Sequence, residues 1–432
     1  MGISYTYVFQ VCVILQCMTL WRSGMQSPGC ALQFTDGFDE FQYFQDGDLI
    51  IGGVLTVRAK EDDLPEEKRY SPSLGYYVNL LAFLSAIDNI NQDPDILPNI
   101  TLGFHLHDSM LEPRKAVQSV LQILSGPNGT IPNFSCKGEG KLTGIIGDHY
   151  SSTTIPIAQI LGLYRYTQIS YGATDYTLSD RHLYPHVFRT VQSDNVQYLA
   201  IAKLVKYFGW NWVGILLSDD DTGENEAQIL KRHLASQEIC VAFEKKMAEN
   251  LATMDQWKDT LSKEHCKVVI LCGFFTSSAR IYLNEYSQIN RNNILILPTG
   301  WTPDKMIMLT AYINSIKSLS LRFSDPQILG EILFDVNLLS RHSHIGQLMD
   351  DLIITFYNVT STQNGKHIYF PNVPTFRQNL LRMFISMIDK SLLSRVSLRV
   401  YIAVEAMAEA IHLFNKFNRS FNMNRFNQVK LV

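Results

Sequence analysis

Four consecutive hydroxyl side chains, Ser151 to Thr154, have the residue types and spacing best suited to ligand chemistry in this sequence. They follow a short apolar run at 144–147 and a polar turn, and they open a segment with helical periodicity. A helix N-terminus with uncommitted N–H groups and nearby hydroxyls suits a carboxylate or another small anion. The alternative is that Ser151 or Ser152 only caps the helix, and this stretch alone leaves both interpretations open.

A second polar group follows the next apolar run at 168–171. Thr174 and Asp175 come directly after it, so a hydroxyl and a carboxylate leave the predicted sheet there. Ligands of open α/β sheets bind at the carboxyl ends of parallel strands. The sequence therefore predicts that Thr174 and Ser151 lie at one sheet edge.

The elements that must position these residues alternate between strand and helix, which predicts an α/β fold with parallel sheets in two lobes. Residues 26–47 show no periodicity, and 58–73 are predicted to be a charged loop. Strands are predicted at 48–57, 100–107, 144–147, 168–171, 212–218, 239–243, 267–273 and 293–298. Helices are predicted at 76–91, 112–125, from 151, and at 193–208, 222–236, 251–264, 277–289, 343–358, 374–391 and 398–418.

Length and composition limit the class of protein. At 432 residues the chain exceeds one ordinary core, and 46% hydrophobic with 18% charged residues is typical of a globular protein. The net charge is −4 and no basic stripe is present, which argues against a nucleic-acid partner.

The N-terminus and the sequons indicate the secretory pathway. Residues 1–25 contain an apolar run too short to span a bilayer and are predicted to be a signal peptide, after which the chain is expected to be soluble. Glycosylation sequons lie at Asn99, Asn128, Asn133, Asn358 and Asn418.

Cysteine usage predicts an unpaired thiol or a bridge between chains. Beyond the leader, Cys30, Cys136, Cys240, Cys266 and Cys272 remain, an odd number. On one extended strand Cys266 and Cys272 would lie about 20 Å apart, too far to bridge. The pairing of the remaining cysteines stays open.

Several long segments carry a resemblance to a known family. These are LLAFLSAIDNIN, ILPNITLGFHLHDS, SSTTIPIAQILGLY, QISYGATDYTLSDR, FRTVQSDNVQYLAIAKLVKYFGWNWVGILLSDDDTG and YIAVEAMAEAIH. From Gly52 to about His412 the chain resembles the ligand-binding domain of class C G-protein-coupled receptors. It is most similar to vomeronasal type-2 receptors, with calcium-sensing and metabotropic glutamate receptors more distant.

The resemblance implies a bilobed, periplasmic-binding-protein-like type I (Venus-flytrap) fold that closes on a small extracellular ligand and dimerises through lobe 1. The implied division is a signal peptide at 1–25, lobe 1 at 26–191, lobe 2 at 192–322, and a return to lobe 1 at 323–432. The chain ends before the strands that complete both lobes in relatives, so we expect a C-terminally incomplete domain. A G protein would be reached only through a membrane region, at the plasma membrane, in a full-length receptor.

The resemblance also implies a set of ligand-binding residues. Ser151, with Ser152 adjacent, matches the serine that holds an amino acid's carboxylate, and Thr174 matches the hydroxyl after the next strand. Asp194 and Asp220 match acidic positions near the lobe junction. Thr222 and Thr299 replace an aromatic residue and an acid, and Gly75 replaces a basic residue, which puts recognition of a free amino acid in question.

Simpler structural roles compete with these assignments. Asp219 to Asp221 are expected to cap the helix beginning at Thr222, and Asp194 to cap the helix that it opens. Cys136 matches a region that cross-links two protomers in relatives, and a free thiol is the alternative. His105 and His107 alternate along a strand without a third ligand, so no metal or other cofactor is expected.

Three functional hypotheses follow. The first is a chemosensory receptor ectodomain that binds a small molecule, such as an amino acid, in the cleft between lobes. The second is a truncated, non-signalling fragment that acts only by dimerising or does not fold stably. The third, an enzyme, lacks support because no G-x-S-x-G, H-E-x-x-H or phosphate-binding loop motif occurs, and no catalytic residue is assigned.

Overall fold

The computed structural model of the protein describes part of the chain. The described residues are 42–60, 70–72, 74–125, 142–247, 266–273, 279, 281–283, 285–286, 293–298, 301, 317–320, 362–363, 366–367 and 390–419. The predicted helices at 251–264 and 343–358, and nearly all of the one at 374–391, lie outside these residues.

The first large sheet has six strands. They are β1 (Gln42–Gln45), β2 (Leu49–Leu55), β3 (Leu102–Asp108), β4 (Leu142–Ile146), β5 (Thr167–Ser170) and β6 (Val187–Arg189). Their spatial order is β1–β3–β2–β4–β5–β6. β1 runs antiparallel to β3, and all other neighbours are parallel.

Helices cover both faces of this sheet. They are α1 (Leu74–Gln92), α2 (Pro113–Ser125), α3 (Ser151–Tyr164) and, from the far end of the chain, α6 (Lys390–Arg419). Ile51 and Ile146 belong to the core beneath α1 and α6, whereas Val54 and Ile145, on the same two strands, belong to the core beneath α2 and α3. Because successive strand residues point to opposite faces, near-continuous apolar strands can supply both cores.

The second large sheet has five parallel strands. They are β7 (Trp212–Ser218), β8 (Cys240–Met247), β9 (Val268–Cys272), β10 (Ile294–Leu297) and β11 (Lys317–Ser320), in the order β8–β7–β9–β10–β11. Two helices precede and follow β7, α4 (Asp194–Tyr207) and α5 (Asp221–Ser236). Val213, Ile215 and Leu217 pack with these helices, while Leu216 faces the other core.

α6 joins the end of the described chain to the first core. Val400, Ala403, Val404, Met407 and Ala408 are buried at helical spacing and pack in the same core as α1. The hydroxyl of Thr190, directly after β6, donates to the carbonyl of Arg399 at 3.1 Å. The chain therefore leaves the first sheet beside the helix that later returns to it.

The structure corrects three element predictions. The predicted charged loop at 58–73 contains a short antiparallel ribbon, Arg58–Lys60 with Tyr70–Pro72. The 26–47 segment, predicted to lack regular structure, contains β1. The last helix, predicted at 398–418, begins at Lys390.

Two strands, β6 and β11, were not predicted because each is short and lacks a sustained apolar run. A second small ribbon pairs Thr362–Gln363 with Lys366–His367. Within the part of the chain that the structure describes, no helix combines the length and apolarity needed to cross a bilayer.

Candidate functional site

The turn between β4 and α3 forms the centre of the candidate site. Tyr150 occupies the N-cap position with an extended backbone (φ −102°, ψ 146°), and no side chain caps the helix there. The expectation that Ser151 or Ser152 caps α3 is therefore wrong: Ser151 is already the first helical residue. The first-turn N–H groups of α3 have no acceptor within the helix, which is the property that favours anions at such positions.

Ser151 and Thr174 come together at this edge of the sheet. The backbone N–H of Asp175 donates to the Ser151 hydroxyl at 3.1 Å, and both Ser151 and Thr174 are half-buried. Ser152, the adjacent predicted residue, is exposed. The spatial arrangement of these three residues agrees with a shared edge, while their role in binding stays a prediction.

Asp194 extends this group toward the second sheet. Its backbone N–H donates to the carbonyl of Thr174 at 2.9 Å, and its side chain is buried with 6% of the residue exposed. Ser193, not Asp194, is the N-cap of α4 and accepts from Asn195 N–H, so the capping expectation for Asp194 is wrong. A capping side chain must precede the first helical residue, and Asp194 is that first residue.

The charge of Asp194 is set by burial and by its neighbours. Burial raises its pKa from 3.8 to about 6, and the nearby Asp175 carboxylate acts in the same direction. A hydrogen bond with Thr174 and the Arg189 guanidinium oppose this rise. Arg189 itself donates to the carbonyls of Ala173 and Asp175, at 3.2 and 2.8 Å, and so braces the same loop.

The acidic run at the start of α5 has a structural role. Asp220 is the N-cap and accepts from Gly223 N–H at 2.7 Å, which confirms the capping prediction. The helix begins at Asp221, one residue before the predicted Thr222, which is half-buried in the first turn. Thr299 lies outside the described residues.

Sequence reasoning missed the fully buried carboxyl group of Asp148, which organises the turn before α3. Its side chain accepts hydrogen bonds from Thr56, Ser109, His149 and Tyr171, at distances from 2.6 to 3.2 Å. Burial raises its pKa, and the hydrogen bonds from Ser109, His149 and Thr56 act against that rise. This network fixes the peptide that leads into Ser151.

An aromatic group beside Ser151 was also missed. The hydroxyls of Tyr76 and Tyr150 lie 2.7 Å apart, and His149 stacks on Tyr171 with 5.7 Å between ring centroids. Tyr76 directly follows Gly75. The local signal was present in the sequence as Tyr76, His149 and Tyr150, but their convergence depends on the packing of α1 against the turn.

Glu226, on α5, is a third residue that the sequence analysis did not single out. It is buried and accepts hydrogen bonds from the Tyr198 hydroxyl and from Gly273 N–H. Burial and the charge of Asp194 raise its pKa from 4.5 to about 8. The sequence feature that could have identified Glu226 as a buried acid is its position next to Ala227, Ile229 and Leu230, which are buried on the same helix.

Other predicted sites are distributed away from this edge. Asn99 is exposed in a left-handed conformation, and Asn418 lies in α6. Cys240 is exposed and Cys272 is buried, both as free thiols, whereas the buried Cys266 thiol donates to the carbonyl of Val268. The remaining sequons, Asn128, Asn133 and Asn358, and the cysteines Cys30 and Cys136 lie outside the described residues.

His105 and His107 form a buried pair with their Nε2 atoms 3.0 Å apart. Burial lowers the pKa of His105 to about 4 and that of His107 to about 3. Within the described ranges, no group of three or more His, Cys, Asp or Glu side chains is arranged to hold a metal ion.

Comparison with known proteins adds a family match. Residues 78–431 match the model of a family described as "Receptor family ligand binding region". Over 276 residues the chain is 32% identical to vomeronasal type-2 receptor 26 of Mus musculus, in an alignment that covers 60% of this chain and 32% of that receptor.

It is also similar to the extracellular calcium-sensing receptors of Mus musculus and Bos taurus, at 24% identity over 326 and 327 residues. These alignments cover 71% and 72% of this chain and 29% of each receptor. The chain thus corresponds to 29–32% of the length of these relatives.

Proposed function

We propose that this chain binds a small polar ligand as part of a chemosensory receptor. The premise is that it belongs to the receptor family ligand-binding region found in the extracellular part of class C G-protein-coupled receptors. The proposed ligand is an amino acid or a related molecule. The proposed binding surface is the edge formed by Ser151, Ser152, Thr174 and Asp194, between the first and second sheets.

One observation carries the proposal. The backbone N–H of Asp175 donates to the Ser151 hydroxyl, and the backbone N–H of Asp194 donates to the Thr174 carbonyl, so the N-terminus of α3 is connected to the N-terminus of α4. These helices belong to different sheets. A molecule bound at this edge would contact both, and could thereby favour one relative arrangement of them.

The chemistry of the two helix ends supports the ligand class. First-turn N–H groups without an acceptor in their own helix and the Ser151 hydroxyl suit a carboxylate, whereas the buried Asp194 side chain suits an amino group. The Tyr76–Tyr150 hydroxyl pair next to Ser151 offers neutral polar and apolar contacts to the rest of the ligand. Thr222 and Thr299 are proposed as further contacts by resemblance, and Asp220 remains a helix cap in this interpretation.

The rest of the assignment follows from the family. We infer two lobes, one formed by residues 26–191 and 323–432 and the other by 192–322, with dimerisation through the first lobe. We further infer a receptor at the plasma membrane that reaches a G protein through a membrane region, and no catalytic activity.

Thermal unfolding with a panel of the standard L-amino acids tests the proposal. A ligand present at one hundred times its Kd stabilises the folded protein by about 2.7 kcal/mol, which raises the unfolding temperature. We expect at least one amino acid to do so, and the Ser151→Ala variant to lose most of that shift at equal ligand concentration.

Ser236→Ala is the matched control, because this exposed serine donates to the carbonyl of His233 at the end of α5 and lies in no proposed contact. Its ligand-induced shift should equal that of the unmodified chain. An equal shift in Ser151→Ala would remove Ser151 from the site, and the absence of any shift across the panel would reject the amino-acid ligand class.

A further inference from the structure

Glu226 is a buried acid that the proposed binding contacts do not use. It lies on α5, and both of its hydrogen-bond donors, the Tyr198 hydroxyl and Gly273 N–H, reach the same oxygen, Oε2. No donor among the described residues reaches Oε1. Two donors on one oxygen and none on the other are compatible with a protonated carboxyl group, in which Oε2 is the carbonyl oxygen and Oε1 carries the proton.

The groups around Glu226 make its ionisation unfavourable. Tyr198 and Cys272 are fully buried and neutral, since burial raises the pKa of both well above their ordinary values. The charged groups that face it are Asp194, at the start of α4, and Asp220, the cap of α5, and both raise its pKa. None of the principal influences on its pKa is a cation.

Asp194 has a different environment, although it is near enough to influence Glu226. Thr174 and Arg189 favour its ionised form, whereas burial and Asp175 oppose it. Asp194 therefore ionises first as the pH rises, and Glu226 ionises later against the field of the Asp194 charge.

We propose that Glu226 is a positioning residue that holds a proton beside Asp194, so that the two carboxyl groups carry one negative charge, located on Asp194 at the edge of the proposed site. The pair thus presents a single charge to a ligand near neutral pH. The protonation of Glu226 stands on the structure alone, whereas its consequence for binding rests on the proposed function.

The sign of the effect on stability follows from the raised pKa. The folded state holds the Glu226 proton up to a pH of about 8, whereas the unfolded chain releases it near 4.5. The stabilisation is complete below the lower value and is lost as the pH rises through the higher one. One linked proton changes the unfolding equilibrium constant about tenfold per pH unit within this window.

Unfolding by urea between pH 5 and pH 8, without added ligand, tests the proposal. Glu226→Gln keeps the shape and the Oε acceptor of a protonated acid but cannot titrate. We expect it to match the unmodified chain at pH 5 and to become progressively more stable than it toward pH 8, by up to about tenfold per unit in the unfolding constant.

The role of Asp194 is tested by Asp194→Asn. Removing that charge should move the Glu226-dependent loss of stability to lower pH. A purely structural glutamate would not show this effect. Glu224→Gln is the control on the same helix, because Glu224 is an exposed partner of Lys246, and it should leave the profile unchanged.

Infrared spectra provide a second readout that does not depend on unfolding. The carbonyl stretch of a protonated carboxylic acid should be present at neutral pH in the unmodified chain and lose intensity in Glu226→Gln. The proposal is overturned if Glu226→Gln runs parallel to the unmodified chain at all pH values, or if Asp194→Asn leaves the profile in place. Since no ligand is used, these outcomes are independent of the amino-acid screen.

Discussion

At the level of single residues, Asp148, just after β4, connects the ends of three other strands of the first sheet. Thr56 follows β2, Ser109 follows β3 and Tyr171 follows β5, and each donates to the Asp148 carboxyl group. A buried carboxyl group is costly unless its hydrogen-bonding capacity is filled, and here several donors fill it. The turn that leads into Ser151 is therefore fixed by hydrogen bonds from the ends of three strands.

Replacing Asp148 with alanine should destabilise the protein by about 3 kcal/mol, because several buried donors would lose their acceptor. Urea unfolding followed by tryptophan fluorescence measures the change. Glu238→Ala is the control, since this glutamate forms a surface ion pair with Lys206 at 3.5 Å, and such pairs contribute little. Similar losses in the two variants would show that the Asp148 network is energetically unimportant.

At the level of elements, two glycines at the ends of the β4–α3 unit differ in what surrounds them. Gly147, just after β4, has a φ of +147°, and a Cβ there would lie 2.1 Å from the carbonyl oxygen of Val54. Gly162, near the end of α3, has no atom within 4 Å of the corresponding position. The first glycine is required by close approach of the backbone, and the second is not.

Gly147→Ala should therefore lower the free energy of unfolding by more than about 1 kcal/mol, whereas Gly162→Ala should raise it by about 0.5–1 kcal/mol through helix propensity. The two substitutions add the same methyl group, so each is the control for the other in thermal or urea unfolding. A loss at Gly162 as large as that at Gly147 would contradict this account.

Much of the element order was accessible from the sequence because both sheets are parallel and buried. Their strands are apolar runs, and β7 was predicted with the bounds that the structure shows. β1 and β6 were missed because edge strands are short and need no continuous apolar run. The predicted edge holding Ser151 and Thr174 followed from strand topology, whereas Asp148, Tyr76 and Glu226 required knowledge of which distant helices and strands meet.

At the level of the whole molecule, α6 and α1 complete one core from opposite ends of the sequence. Met407 is 1% exposed and lies against Gly144 of β4, where an added Cβ would meet its methyl group at 2.6 Å. α6 therefore packs closely against β4 at Gly144, and the core of the first sheet includes residues more than two hundred positions away in the sequence.

Met407→Ala should destabilise the protein by about 3 kcal/mol through loss of buried contacts and the remaining cavity. Leu413→Ala on the same helix is the control, because Leu413 is 51% exposed and its truncation should have little effect. Chemical unfolding of both variants gives the comparison. Equal stability of the Met407 variant and the unmodified chain would show that α6 packs only loosely.

The late position of α6 in the sequence also determines the order in which the two hydrophobic cores can be completed during synthesis of the chain. The strands β7 to β11 and their helices are complete once residue 320 has emerged, whereas the first core waits for residues 400–411. Until then the apolar surface that α6 covers stays exposed to water and to chaperones. The core of the first sheet, whose strands are synthesised first, is thus completed last.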